Sequence, residues 1–542
     1  MAARWRVRSL GAALAFALVA VSCAGGSSKG SSSGNTTAAS SATPVVGGHL
    51  IMGTDAEVDG VDPTKNRWDA NGLLYASTVY DPLSAVGSDG NAHPYLAQSI
   101  DHNAGYTVWT IKLRPGVHFS NGDPLTAADV AYDLKAVRSA ALTGPALAPI
   151  ASVSAVDDLT VAVNMNQPWI PFPLYLAGQP GFIPSPKTLK DPNGSLHPIG
   201  TGPFILKEWV PGNHFTAVRN PNYWQKGRPY LDEIEYRPIL EETSRVASLN
   251  SGNIDALFTG DSQSIVTLRP EKSVVTTDDS KQGERQSTFI MLNTAKAPLN
   301  DIRVRQALAY ATDSKRIIDV LANGILPVAD SPFGPTSAYH VPNVGYPKYD
   351  PQKAKQLVAE YEHDTGHKIS FELGTTNTGR NLSINQFIQD MWKQVGISVN
   401  IVQVEQSQYI LNALQGNYQA YAWIQFGEPD PDADYVWWSS QTAAPVGQLA
   451  LNFARNKDPQ IDKDLQTGRQ SSDQATRKAA YQDIARRFAV DVPYVWISGL
   501  ITAISTKPTV HGTQPARLPD GGGPALLPTP VNFAPMDLWK AG

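Results

Sequence analysis

The sequence predicts an α/β protein built from several structural units. Three observations carry that reading. The chain has 542 residues, and a domain usually takes about 100–200, so roughly two to four units are expected. Between Trp109 and Leu134 an alternating apolar pattern gives way to two turn dipeptides and then to a helical period. Between Ile369 and Ile401 strand, helix and strand follow one another in the βαβ order of an open sheet.

Composition bounds the function. Charged residues make up 17% and apolar residues 42%, which suits a globular chain with a sizeable core. A net charge of -5 argues against a nucleic-acid binder, which needs a basic face. The 20 tyrosines and 12 tryptophans serve either the core or a ligand cleft. Cys23 is the one cysteine. The folded body therefore has no disulfide, no thiolate metal site and no cysteine nucleophile.

The N-terminus reads as a processed leader. Arg4, Arg6 and Arg8 precede an apolar run from Leu10 to Val21. That run is too short for a spanning helix of about 20 residues and suits a signal peptide. It ends Ala20-Val21-Ser22-Cys23, which resembles the lipobox of bacterial lipoproteins, with Ala20 departing from the usual leucine. A diacylated Cys23 would satisfy the two-signal requirement for stable anchoring. Gly25 to Thr43 is a Gly/Ser-rich flexible tether, spanning roughly 25 Å as a coil. Two G-x-S-x-G matches inside it lack the flanking strand and helix of a nucleophile elbow.

The body starts near Pro44. Gly48 to Thr54 reads as a first strand and Asn71 to Val79 as a helix. Trp109, Ile111 and Leu113 alternate with Thr110 and Lys112 as a half-buried strand. Pro115-Gly116 and Asn121-Gly122 are turns. Thr126, with Asp129 three residues on, caps a helix carrying Val130, Leu134 and Val137 on one face. Val153 to Val163 reads as a further strand region with a turn at Asp157-Asp158. Gly200-Thr201-Gly202-Pro203-Phe204 suits a backbone changing direction. Asp301 and Asp313 cap successive helices, and Asp350-Pro351 starts another. Leu382 to Val395 is helical and stops at Gly396, between strands at Ile369 to Leu373 and Ile397 to Ile401. Tyr418 to Trp423 is a third strand, and Leu538-Trp539 is expected to pack on the first lobe.

Several of these segments, in order, resemble the peptide/nickel-type solute-binding proteins, the extracytoplasmic receptors of ABC importers for dipeptides and oligopeptides. They are Tyr80-Asp81-Pro82-Leu83, Pro94-Tyr95-Leu96-Ala97, Leu113 to Leu134, Gly200 to Phe204, Asn220-Pro221-Asn222-Tyr223-Trp224, Leu249 to Asp255, and Asp301 to Leu321. The resemblance runs from about Gly48 to Trp496. It implies an α/β, two-lobed periplasmic-binding-protein (Venus-flytrap) fold with an extra α+β domain inserted in the first lobe. The implied boundaries are 1–22 signal peptide, 23–43 lipidated cysteine and tether, 44–82, 200–287 and 500–542 lobe one, 83–199 inserted domain, and 288–499 lobe two.

The resemblance also locates a site. Ligands of open α/β sheets bind beyond the carboxyl ends of strands, where the loops Thr375 to Arg380 and Trp423 to Asp434 fall. The family reads a peptide's ammonium with an aspartate before the D-P-D run, but here that place holds Phe426 or Gly427. Glu428, Asp430 or Asp432 is the substitute, with Gln425 beside them, or the amine is not read that way; the alternative is that Pro429 to Asp434 only makes turns and caps a helix. The family's carboxylate-reading arginine falls at Thr375. Arg380, with Asn377 nearby, can take that role in bidentate fashion, or Arg380 is a surface residue at a helix start. Trp68 and Trp423 are the candidate apolar walls, against a role in core packing.

His363 and His367 have helical ligand spacing, but the resemblance puts them in a loop far from the cleft, and a turn is expected between them. No GxxxxGK loop or HExxH helix is present. The expectation is a non-enzymatic receptor without metal or cofactor. Its partners would be short peptides, the membrane subunits of an ABC importer and, through the lipid, the outer face of the cytoplasmic membrane; it would act as a monomer and bind no nucleic acid. The alternatives are a carrier of haem or a metal chelate, and a peptide-sensing receptor without transport.

Overall fold

A computed structural model describes residues 43–541, apart from 67, 142, 282–285, 377, 378 and 426; the side chains of 379 and 380 are also undescribed. The leader, Cys23, most of the tether and Asn377 therefore lie outside the described residues. The described strands fall into two large sheets, two four-stranded sheets and one short pair.

The first large sheet has the order Val275–Asp278, Ala503–Thr506, Ala256–Thr259, His49–Thr54, Glu233–Pro238, His214–Arg219 and Phe204–Val210. Its central strand His49–Thr54 runs parallel to both neighbours, and the flanking pairs are antiparallel. Helix Ala70–Val79 covers it, capped by Asp69, whose carboxylate accepts from Gly72 N. Leu538 joins this core and Trp539–Lys540 pairs with Val510–His511, so the C-terminus closes back on the first lobe.

The segment between carries its own sheet, ordered Ala97–His102, Val108–Leu113, Thr160–Met165 and Ile150–Ala155, antiparallel throughout. Its core is closed by helix Ala127–Ser139, where Thr126 and Asp129 form the expected capping box. The turns at Gly116 and Gly122 have φ of +75° and +90°, as those dipeptides require. Strand Ser84–Gly87 pairs with Ala92–Pro94 on one side and on the other with Pro524–Leu526 from the chain's end, which in turn pairs with Ala516–Arg517.

The glycines of the Gly200 to Phe204 run serve close approach. A Cβ on Gly202 would sit 2.3 Å from Val79 C, and one on Gly200 would meet the Tyr80 ring at 2.1 Å. The segment leading into strand Phe204–Val210 thus lies close against the end of the first helix.

The second large sheet has the order Ser398–Val404, Ser370–Thr376, Ala420–Gln425, Ser287–Leu292 and Tyr494–Gly499. Successive side chains point to opposite faces. One face packs under helices Ile302–Ala311, Ser314–Leu321, Pro351–Thr365 and Gly379–Lys393, and the other under Gln406–Gln415, Pro459–Gln470 and Gln474–Asp491. Asp301, Asp313 and Asp350 cap their helices as expected. The helix before His367 continues through Thr365 and ends at Gly366 with φ of +72°, so the chain turns at that glycine, between His363 and His367.

The chain leaves the first large sheet after Asp278 and enters the second at Ser287, and it returns between Gly499 and Ala503. The crossings are tied together. Thr502 N and Oγ1 donate to Asp279 Oδ1 and Oδ2 at 2.9 and 2.7 Å, and Leu500 N donates to Gln286 O at 2.7 Å.

Candidate functional site

Register places the candidate strand end. Ser287 pairs with both Gln425 and Gly499, so the carboxyl end of Ala420–Gln425 lies at the edge where the chain crosses to the first lobe. Ser370–Thr376 runs parallel to Ala420–Gln425, with Leu373 opposite Ala420, and points its carboxyl end the same way. Both candidate loops therefore leave the sheet at the interlobe edge.

Trp423 is half-buried on one face of that strand. Its ring stacks on Tyr409 at 5.6 Å and 10°, Tyr409 stacks on Tyr421 at 3.9 Å and 8°, and Phe453 meets Trp423 edge-on at 5.4 Å. A rigid aromatic ladder thus ends at the strand tip. Gln425 and Glu428 are half-buried next along the chain, with Gly427 between them at a φ of +89°. Asn377 lies outside the described residues. Arg380 is placed in the first turn of helix Gly379–Lys393, and its side chain is not described.

Two expectations need correction. Trp68 does not wall the cleft: it is 6% exposed in the first lobe's core, 5.6 Å edge-on to Phe182 and stacked at 6.5 Å on Tyr80. Asp432 is 0% exposed, and each of its oxygens has a partner within the protein. Arg469 Nε donates to Oδ1 at 2.8 Å, Trp169 Nε1 donates to Oδ2 at 2.7 Å, and the Tyr175 hydroxyl donates to its carbonyl. Ile170 N donates to Arg469 O at 3.0 Å. The acid fastens segment 169–175, which precedes the Gly200 return, to the second lobe, because a buried carboxylate needs full pairing.

Asp430 is held in the same manner. Its oxygens accept from Arg477 Nη2 at 2.8 and 2.7 Å, and Oδ1 also accepts from Asp432 N at 2.9 Å. Burial pushes the Asp430 carboxyl up, with Arg477 opposing. Burial also works against the Arg469 charge, yet Asp432 outweighs it and the guanidinium sits above the ordinary arginine value. The Arg469 guanidinium lies 3.8 Å from the Tyr435 ring centroid and 5.5 Å from that of Trp169. Sequence reasoning missed Arg469. A signal existed: in helix Pro459–Gln470 it shares a buried face with Ile461 and Leu465, and an arginine there demands a buried partner.

The described residues hold no group of three or more His, Cys, Asp or Glu side chains arranged for a metal ion. His363 is exposed and contacts Asp364 at 3.0 Å. No described helix is long and apolar enough to cross a membrane.

Comparison with known proteins agrees with this geometry. Residues 91–445 match the family model of the bacterial extracellular solute-binding proteins, family 5, middle region. The nickel-binding periplasmic protein of Escherichia coli (strain K12) is 29% identical over 463 residues, covering 81% of this chain and 87% of that protein. The glutathione-binding protein GsiB of Pectobacterium atrosepticum is 26% identical over 473 residues, covering 83% and 90%. Among solved structures, the periplasmic binding protein DppA of Helicobacter pylori in complex with the peptide STSA superposes with a TM-score of 0.80 at 24% identity, covering 92% of this chain and 99% of that one. That structure supports the fold, a two-lobed periplasmic binding protein. The chain belongs to the bacterial extracellular solute-binding proteins of family 5, the peptide/nickel-type binding proteins of ABC importers, and is a receptor rather than an enzyme.

Proposed function

We propose that this chain captures short peptides between its lobes and delivers them to the membrane subunits of an ABC importer. The observation that carries the reading is the interlobe edge of the second large sheet, where Trp423, Gln425 and Glu428 follow one another beside the paired crossings. Aromatic walls with a few placed polar groups are the usual make-up of a small-ligand site. Asp430 and Asp432 are paired with Arg477 and Arg469. Glu428, half-buried just beyond the strand end, is assigned to a peptide ammonium. Asn377 and Arg380, which follow strand Ser370–Thr376 in the sequence, are assigned to the other end of the ligand. The lobe boundaries are those implied by the family resemblance, with 83–199 as the insert. Cys23 carries the lipid that anchors a monomer to the outer face of the cytoplasmic membrane.

A metal chelate is the second reading, favoured by the relative named for nickel. Thermal unfolding separates the two. A ligand at a hundred times its Kd adds about 2.7 kcal/mol, a rise of several degrees. Peptide pools of two to nine residues are expected to raise the midpoint, and nickel–histidine is not. A rise with nickel–histidine alone would overturn the peptide reading in favour of the chelate.

A further inference from the structure

On the face of the second large sheet opposite Trp423 lies a cavity of about 190 Å³. Its walls are Ile317, Ile318 and Leu321 of helix Ser314–Leu321, Ile384 of helix Gly379–Lys393, and Ile497 of the strand Tyr494–Gly499. Its polar groups include Thr288 and Ser498, whose hydroxyls bond each other at 2.8 Å, with Thr288 Oγ1 also reaching Ser498 O at 3.1 Å. The lining is therefore mainly apolar, with Ser383 as a third hydroxyl residue and the hydroxyls of Thr288 and Ser498 bonded to each other.

A packed interior leaves few voids larger than a water molecule. Further along the same face the core is filled by Ile290, Leu292, Leu373 and Ile388. This void lies toward the edge where ligand is expected. Thr288 stands opposite Ile424, one register step from the Ser287–Gln425 pair, and Ile384 lies in the early turns of the helix that follows strand Ser370–Thr376. Ile424, a large apolar side chain on this face, is 44% exposed. An apolar cavity of about 150 Å³ is enough to hold a benzene molecule, so this one has room for a leucine, isoleucine or phenylalanine side chain.

We infer that this cavity between helices Ser314–Leu321 and Gly379–Lys393 is a side-chain subsite that selects peptides carrying an aliphatic or aromatic residue. The inference rests on the peptide reading above and adds a preference to it. The same helix pair region bears on lobe position: Ile318, Ala322 and Leu326 also pack on Ile265, Ile501 and Ala503, at the crossing and in the first lobe. A side chain seated in the cavity thus rests on the helix that joins the two lobes.

The test is calorimetric titration of the purified protein with tetra-alanine and with its single leucine, phenylalanine and serine substitutions at each of the four positions. Burying such an apolar side chain is worth about ten- to a hundredfold in affinity. One position is expected to favour leucine or phenylalanine over alanine and serine by that factor. Ile384→Trp, which fills the cavity, is expected to shrink the phenylalanine-to-alanine ratio to below threefold, and Leu321→Phe is the second filling variant should the first not fold. Binding of the set without an apolar preference at any position would overturn the subsite alone, as would a ratio unchanged in a folded filling variant. Binding of none of the set would overturn the peptide reading and the subsite with it.

Discussion

Asp81 shows how much one buried acid can set the response to pH. Its carboxylate accepts from Tyr223 OH at 3.0 Å and from Trp224 Nε1 at 2.8 Å. Burial nevertheless outweighs these bonds and raises its pKa to about 7. Between the ordinary value near 3.8 and about 7, the folded chain holds a proton that the unfolded chain has released. The stabilising contribution is complete below pH ~4 and is lost as pH rises through about 7. Urea unfolding across that range should show wild type losing stability relative to Asp81→Asn; parallel curves would mean the acid stays ionised. Asp432 is a buried acid of another kind, its two side-chain oxygens bonded to Arg469 and Trp169. Asp432→Ala strands Arg469 and should cost about 3–5 kcal/mol, read from the urea midpoint. A loss under 1 kcal/mol would mean that water replaces the carboxylate. The partners of Asp432 lie 37 residues after it and 263 before it. Local pattern therefore showed only its turn, and its true role was not legible. Trp68 was misread for a related reason, since composition does not separate a core tryptophan from a cleft wall.

At the scale of elements, most of the chain was legible because short-range chemistry decides it. Period-two alternation marked Val108–Leu113, and side chains that bond nearby N–H groups marked the starts of Ala127–Ser139, Ile302–Ala311 and Pro351–Thr365. In the first of these, Thr126 N and Oγ1 donate to Asp129 Oδ2 at 2.9 and 2.6 Å while Asp129 N reaches back to Thr126 Oγ1. Thr126→Ala should therefore cost about 1 kcal/mol, and a neutral result in thermal unfolding would show that the helix is held by its packing alone. Pairings across hundreds of residues were not legible. Nothing local in Ser84–Gly87 announces Pro524–Leu526 as its neighbour, and the glycines at 200 and 202 are explained only by the helix end they lie against. The apolar cavity was hidden likewise, because its walls come from two helices and two strands.

For the whole molecule, two paired crossings, the contacts made by Trp169 and Tyr175, and the packing of Ile318 and Leu326 on Ile265 and Ala503 are among the places where the parts meet. In proteins of this architecture a few residues at such crossings absorb the motion that closes the lobes on a ligand. The ladder of Tyr421, Tyr409 and Trp423 on one face and the apolar cavity on the other then flank the strand end facing the interlobe edge. Family membership and the two-lobed fold leave the cargo as the central question. Native mass spectrometry of protein purified without refolding, followed by denaturation to release its cargo, answers it most directly. The expected result is a ladder of short peptide masses rich in leucine, isoleucine or phenylalanine. A single metal-chelate or haem mass would contradict peptide capture.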